Sequence, residues 1–146
     1  MTDHPQLALD VQLCFPLYAA TRAVTRTYGD LLDEAGLTYP QYLTMLALWE
    51  ATEPLTVGEL GKRLRLDSGT LTPLLKRLGA AGHVVRRRDT GDERRVLVEV
   101  TPQGRDLRDQ VADVPIRLAE ETGLSSRDGK ELRRLLRTLL ENLDQV

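Results

Sequence analysis

The sequence predicts a mainly α-helical fold that carries one small β-hairpin. Three observations lead there. Two short amphipathic helices meet at a tight turn between Thr56 and Leu78. Two valine-rich stretches flank the turn-rich segment Asp89-Thr90-Gly91-Asp92-Glu93. Leucine-rich helical patterns occupy both ends of the chain. A helix-turn-helix followed directly by a hairpin makes a winged helix-turn-helix, and the terminal helices are then available to pair with a second copy. The expected organisation is a single chain over residues 1–146. In it, residues 40–101 form the winged-helix DNA-binding region, and residues 1–36 and 102–146 supply mainly dimerisation helices.

The elements follow in order. From Asp10 to Ala35 the apolar residues Leu13, Leu17, Ala20, Val24, Leu31 and Ala35 recur at helical spacing, with Asp10 as N-cap. Pro16 falls in the first two turns and should bend this helix or delay its start, and Gly36 ends it. A second helix begins at Pro40, a good first-turn residue, and runs to about Glu50. Thr56-Val57-Gly58-Glu59 matches a capping box; Val57, Leu60, Gly61 and Leu64 share a face of the helix after it. Arg65-Leu66 makes a turn, and Asp67 or Ser68 caps the next helix, whose stripe is Leu71, Leu74, Leu75 and Leu78. Val84 to Arg88 and Arg95 to Val100 are the hairpin strands. Thr101-Pro102 opens another helix, which Pro115 should bend or interrupt. The last helix runs from Ser125 or Ser126 to about Asp144 with a stripe of Leu132, Leu135, Leu136, Leu139, Leu140 and Leu143.

Bulk properties narrow the function. At 146 residues and 41% hydrophobic composition the chain can build one sizeable core. No apolar run approaches the roughly 20 residues that span a bilayer, so no membrane partner is expected. The start of the chain lacks the pattern of a secretory signal, and a single cysteine cannot form an intrachain disulfide; both favour the cytoplasm. His4 and His83 are the only histidines, so neither a metal nor another cofactor is expected. The net charge of -2 hides an asymmetry. Between Val57 and Arg95 ten basic residues face five acidic ones, a local +5 against -7 elsewhere. A basic centre in an acidic chain points to an anionic partner, although a solvated charged face would produce the same count.

The basic region has the chemistry of a DNA reader. A helical wheel puts Gly69, Pro73 and Lys76 opposite the leucines of the second short helix, flanked by Thr70, Thr72 and Arg77. Short hydroxyls, a glycine and two cations suit a helix lying in the major groove of double-stranded DNA. Backbone N–H groups around Asp67, Ser68 and Thr70 can take a phosphate. In the hairpin, Asp92 can hold Arg94 through paired hydrogen bonds, and an arginine so held can enter the electronegative minor groove. Arg86, Arg87 and Arg88 can reach phosphates. A palindromic operator would need two such heads, hence a homodimer.

Asp92-Glu93-Arg94, five residues, then Val100-Thr101-Pro102-Gln103-Gly104 resembles the wing signature of the MarR family, with valine where leucine is usual. Three further segments resemble the organic hydroperoxide resistance regulators within that family: Leu13-Cys14-Phe15-Pro16-Leu17-Tyr18-Ala19, Leu37-Thr38-Tyr39-Pro40-Gln41-Tyr42-Leu43, and Leu66-Asp67-Ser68-Gly69-Thr70-Leu71-Thr72-Pro73-Leu74-Leu75-Lys76-Arg77. The resemblance spans residues 9 to 145. It implies a non-enzymatic, peroxide-sensing repressor with Cys14 as the redox sensor. It also implies that Tyr28 and Tyr39 hydrogen-bond the reactive cysteine across the dimer. With no second cysteine to resolve the oxidised one, the chain is similar to the one-cysteine type. Oxidation by an organic hydroperoxide would give a sulfenic acid, then a mixed disulfide with a low-molecular-weight thiol, a cyclic sulfenamide or an over-oxidised acid.

The residues bear on this independently. A thiolate is the species that attacks peroxide. A helix start offers free N–H groups and the positive end of the dipole, and Tyr18 lies one turn away. Phe15 and the nearby leucines supply an apolar surface that would favour organic peroxides. Against this, a lone cysteine on an apolar face is more often an inert core residue. Pro16 stands where an aliphatic residue is expected. Two other readings compete: a MarR-type regulator released by a small aromatic ligand, with Cys14 incidental, and a one-cysteine thiol peroxidase, whose Pro-x-x-x-Thr-x-x-Cys spacing is absent.

Overall fold

A computed structural model describes residues 3–144. Contacts divide the chain into two compact units, the first ending at Ala112 and the second beginning at Asp113. The first unit holds α1 (Phe15–Leu32), α2 (Tyr39–Glu50), β1 (Leu55–Thr56), α3 (Val57–Leu64), α4 (Ser68–Ala80), β2 (Val84–Arg88), β3 (Val96–Val100) and α5 (Pro102–Gln110). The second holds α6 (Val114–Thr122) and α7 (Ser126–Leu143).

The first helix starts later than the periodicity suggests. Pro5–Leu7 and Leu9–Val11 are single 3-10 turns, and Asp10 caps nothing. Two causes are visible. Pro16 has no N–H to bond the carbonyl of Gln12. The Gln12 side chain instead donates to the carbonyls of Gln6 and Ala8 at 2.9 Å each, tying down the turned segment. The helix ends at Leu32 with Asp33 as C-cap, and Gly36 follows at φ 68°.

Side-chain caps set most other boundaries. Thr38 and Gln41 form a capping box at α2, and Thr56 and Glu59 form one at α3. Asp67, Thr101 and Ser125 cap α4, α5 and α7. Pro115 separates α6 from α5, as its position suggests. Between α3 and α4, Arg65 adopts the left-handed conformation at φ 56° and its N–H reaches the carbonyls of Gly61 and Lys62. Gly61 makes this turn possible, because a Cβ there would lie 2.8 Å from the Leu66 carbonyl.

The hairpin is part of a three-stranded antiparallel sheet in the order β1-β3-β2. The two-residue β1 pairs Leu55 with Val98 and Thr56 with Leu97, which joins the wing to the start of α3. In the hairpin, Val84 faces Val100 and Arg88 faces Val96. The core of this unit sits between helices and sheet: Leu32, Leu37, Tyr42, Met45, Leu48, Leu60, Leu71, Leu75, Leu78, Val84, Val98, Leu107 and Val111 are all buried. Among the described residues, no helix is long and apolar enough to cross a membrane.

Candidate functional site

Cys14 is the N-cap residue of α1 and is exposed. Its thiol makes no capping bond, and its carbonyl accepts the Tyr18 N–H at 3.0 Å. Of the first-turn positions that normally offer free N–H groups, Pro16 offers none. Those of Phe15 and Leu17 remain to face an anion at Cys14. Tyr18 is exposed as well, and its ring is covered by the Arg22 guanidinium at 5.8 Å.

Tyr28 and Tyr39 come together where α1 packs on α2. Their rings stack with centroids 4.0 Å apart and planes 7° from parallel. Tyr42 lies against Tyr28 at 5.7 Å in a tilted arrangement. Burial raises all three phenols above the ordinary tyrosine range. Tyr28 is raised furthest, by burial first, then by repulsion from Tyr39 and Tyr42, and by its hydrogen bond with Tyr39. That same bond lowers Tyr39 against its burial, which remains the larger effect. These hydroxyls are therefore neutral donors over the whole physiological pH range. Sequence reasoning missed Tyr42; its spacing of three from Tyr39 on one helix was the available signal.

Cys14 does not join this cluster within one chain. Fourteen residues separate it from Tyr28, and nearly all of them are α1. At about 1.5 Å per residue that is roughly 21 Å of helix, far beyond hydrogen-bond reach. A thiol bonded to Tyr28 or Tyr39 must come from a second copy.

A second group of predicted residues lies on α4 and the wing. The α4 leucines point into the core, while Ser68, Gly69, Thr70, Thr72, Pro73, Lys76 and Arg77 are exposed. Pro73 costs the helix the bond its N–H would have given to the Gly69 carbonyl, on the exposed face. The Thr70 N–H is not open to a phosphate, because the Asp67 carboxylate accepts it at 2.7 Å. That bond, the first cause, also holds the Asp67 carboxyl below its usual range.

On the wing, Arg94 projects with its side chain 92% exposed. Asp92 Oδ1 accepts from its Nε at 3.2 Å and from its backbone N–H at 3.1 Å. This differs from the expected paired guanidinium contact: Asp92 grips the stem and leaves both terminal nitrogens of Arg94 free of it. The three arginines of β2 also divide. Arg87 bonds Glu99 across the strands, with Nε at 2.8 Å, and Arg88 donates to the Glu93 carbonyl at 2.8 Å. Arg86 is exposed with no ion pair among the described residues. Two arginines expected on phosphates thus also brace the hairpin. No group of three or more His, Cys, Asp or Glu that could hold a metal ion occurs among the described residues.

Residues 26–111 match the family model described as transcriptional regulator SarA/Rot. The chain is 47% identical to the organic hydroperoxide resistance transcriptional regulator of Bacillus subtilis strain 168, over 98% of this chain and 95% of that protein. Two solved structures are similar. AbfR of Staphylococcus epidermidis shares 34% identity at TM-score 0.78, covering 97% of each chain. Reduced AbfR bound to DNA shares 35% identity at TM-score 0.78, covering 95% of this chain and 96% of that one.

Proposed function

Because the chain belongs to the organic hydroperoxide resistance regulators of the MarR family, we propose that it is a transcriptional repressor that binds a palindromic operator as a homodimer and leaves it when Cys14 is oxidised. It is a regulator, not an enzyme. It works on chromosomal DNA, and so in the cytoplasm. The observation that carries the reading is the position of its single cysteine. Cys14 is exposed at the head of α1 and a helix length away from the stacked tyrosines, an arrangement that only a two-fold partner completes.

In the reduced dimer, Tyr28 and Tyr39 of one protomer donate hydrogen bonds to the Cys14 thiolate of the other, with Tyr18 one turn from it. The thiolate attacks the distal oxygen of an organic hydroperoxide. An S–O bond forms, the O–O bond breaks, and the alkoxide leaves and takes a proton as the alcohol. Sulfur is oxidised by two electrons and the peroxide reduced by two. A low-molecular-weight thiol then displaces water from the sulfenic acid to give a mixed disulfide. The adduct carries no anion for the tyrosines to hold and is larger than a thiol, so it forces the two protomers apart at this contact.

On DNA, Ser68, Gly69, Thr70, Thr72 and Pro73 face base edges in the major groove, Lys76, Arg77 and Arg86 meet phosphates, and Arg94 held by Asp92 enters the minor groove. Release asks for little energy. Losing about 3–4 kcal/mol of affinity weakens binding a few hundredfold.

The test pairs mass spectrometry of Cys14 with a DNA-binding titration against cumene hydroperoxide. Wild type is expected to gain a Cys14 adduct as DNA is released, and Cys14→Ser to stay bound. Release of the Cys14→Ser protein by peroxide would refute the sensor, and release of that variant by a small aromatic acid would support the ligand-gated alternative.

A further inference from the structure

We propose that Arg95 is a positioning residue that clamps the wing to α3 through Glu59 and so aims Arg94; this rests on the DNA-binding reading above. Arg95 follows Arg94 directly and closes the wing loop with its backbone. Its N–H donates to the Asp92 carbonyl at 3.0 Å, and its carbonyl accepts from Asp89 at 2.8 Å. Its guanidinium has two acidic neighbours. Nη1 lies 3.3 Å from Asp89 Oδ2, at the other end of the loop, and Nη2 lies 3.7 Å from Glu59 Oε1 on α3.

Glu59 is itself fixed. Its other oxygen accepts the Thr56 N–H at 2.8 Å, and its own N–H donates to the Thr56 hydroxyl at 3.0 Å, closing the capping box. One carboxylate thus ties three parts together: the start of α3, the β1 strand that holds Thr56, and the loop that carries Arg94. The Arg95 side chain is 49% exposed against 92% for Arg94, and its charge already faces two carboxylates. Arg94 is the cation free to meet DNA, and Arg95 is the one that holds it in place.

The clamp acts where the hairpin is otherwise free to twist. The β2–β3 ladder stops at Arg88 and Val96, and a two-stranded ribbon is the most twist-prone piece of sheet. The minor groove is about 6 Å wide, so a small rotation of the loop misaligns an arginine that must enter it. Ordering the loop before binding removes part of the entropic cost of association.

Glu59→Gln gives a test with a sign. The glutamine amide oxygen can still accept the Thr56 N–H, so the capping box survives, while the attraction for Arg95 is lost. Simple electrostatics predicts tighter DNA binding, because an acid near the DNA has been removed. The clamp predicts the opposite, a loss of about twofold to fivefold, the range of one exposed ion pair. The probe is a palindromic duplex selected from a random library by wild-type protein, and the melting temperature of each variant is measured alongside. Glu59→Gln should weaken binding in the wild-type background, leave the salt slope unchanged, and add nothing in an Arg94→Ala background. Unchanged or tighter binding overturns the clamp, as does equal weakening in both backgrounds or an Arg94→Ala protein that binds as well as wild type. Failure of wild type to select any duplex would overturn the DNA-binding reading itself.

Discussion

Tyr28 shows how one residue ties the proposed sensing chemistry to stability. Its hydroxyl is half-buried, stacked on Tyr39 and close to Tyr42, and burial is the largest reason it resists ionisation. In the unfolded chain it would lose its proton near pH 10. In the folded chain it keeps the proton well above that, as do Tyr39 and Tyr42 to a smaller degree. The folded state therefore binds more protons than the unfolded one above pH 10, and stability must fall as pH rises through that range. Below pH 10 both states are protonated and the tyrosines add no slope. Chemical denaturation from pH 8 to 11.5 should show a plateau and then a decline. Tyr28→Phe removes the largest contributor and should flatten the decline; an identical slope in that variant would show that other groups titrate there. The same neutral state is what a thiolate needs from its donors, so the substitution should also slow Cys14 oxidation.

At the level of elements, capping chemistry made most of the fold legible. Thr56 with Glu59, Asp67 and Thr101 with Pro102 announce α3, α4 and α5 by local bonding that needs no tertiary context. The α4 leucine stripe was equally plain, because its period and its burial agree. Pro16 signals the delayed start of α1 that the structure shows, but the apolar spacing runs on to Asp10, and the Gln12 side-chain bonds that hold the turned segment were not legible. Nor was β1, since two residues carry no periodicity and exist as a strand only through pairing with β3. The arginines show the same limit. Their number is read from sequence, but which of them brace the hairpin depends on cross-strand partners. Gly104, the last residue of the wing signature, earns its place by packing. A Cβ there would lie 2.1 Å from the His83 carbonyl oxygen and 2.8 Å from a Val100 methyl, and its own carbonyl accepts the Trp49 indole N–H at 2.9 Å. Gly104→Ala must push β2 and α5 apart. The expected loss is about 2–3 kcal/mol, the upper range for an overpacked core, read as a lower urea midpoint at unchanged m-value, with Trp49 fluorescence changed in the native state. A midpoint within error of wild type would mean that the junction yields more easily than its backbone contact suggests.

At the largest scale, each unit leaves apolar surface uncovered, which is what the proposed homodimer calls for. No residue of α7 is buried, and Leu132, Leu135, Leu140 and Leu143 are all exposed. In the first unit Leu7, Leu9, Val11 and Leu13 are exposed too. Patches of this kind mark interfaces, and each leucine covered by a partner contributes about 1.5–3 kcal/mol. A two-fold dimer would use both ends of the chain, bring each Cys14 to the other protomer's tyrosines, and set two α4 helices about one DNA turn apart, roughly 34 Å. Sensing and DNA binding then share one requirement. Leu135→Arg places a charge in the α7 stripe, where pairing would bury it without a counter-ion. Sedimentation should show a shift from dimer to monomer, with the helical circular dichroism retained because the buried core of the first unit excludes Leu135. The monomer should lose affinity for a palindrome far more than for a single half-site, since the tie between the two heads is gone. Its Cys14 should also react with cumene hydroperoxide more slowly than in wild type, having lost the tyrosines of the partner. A variant that is monomeric yet keeps wild-type Cys14 reactivity would separate the two functions and place the thiolate's support within its own chain.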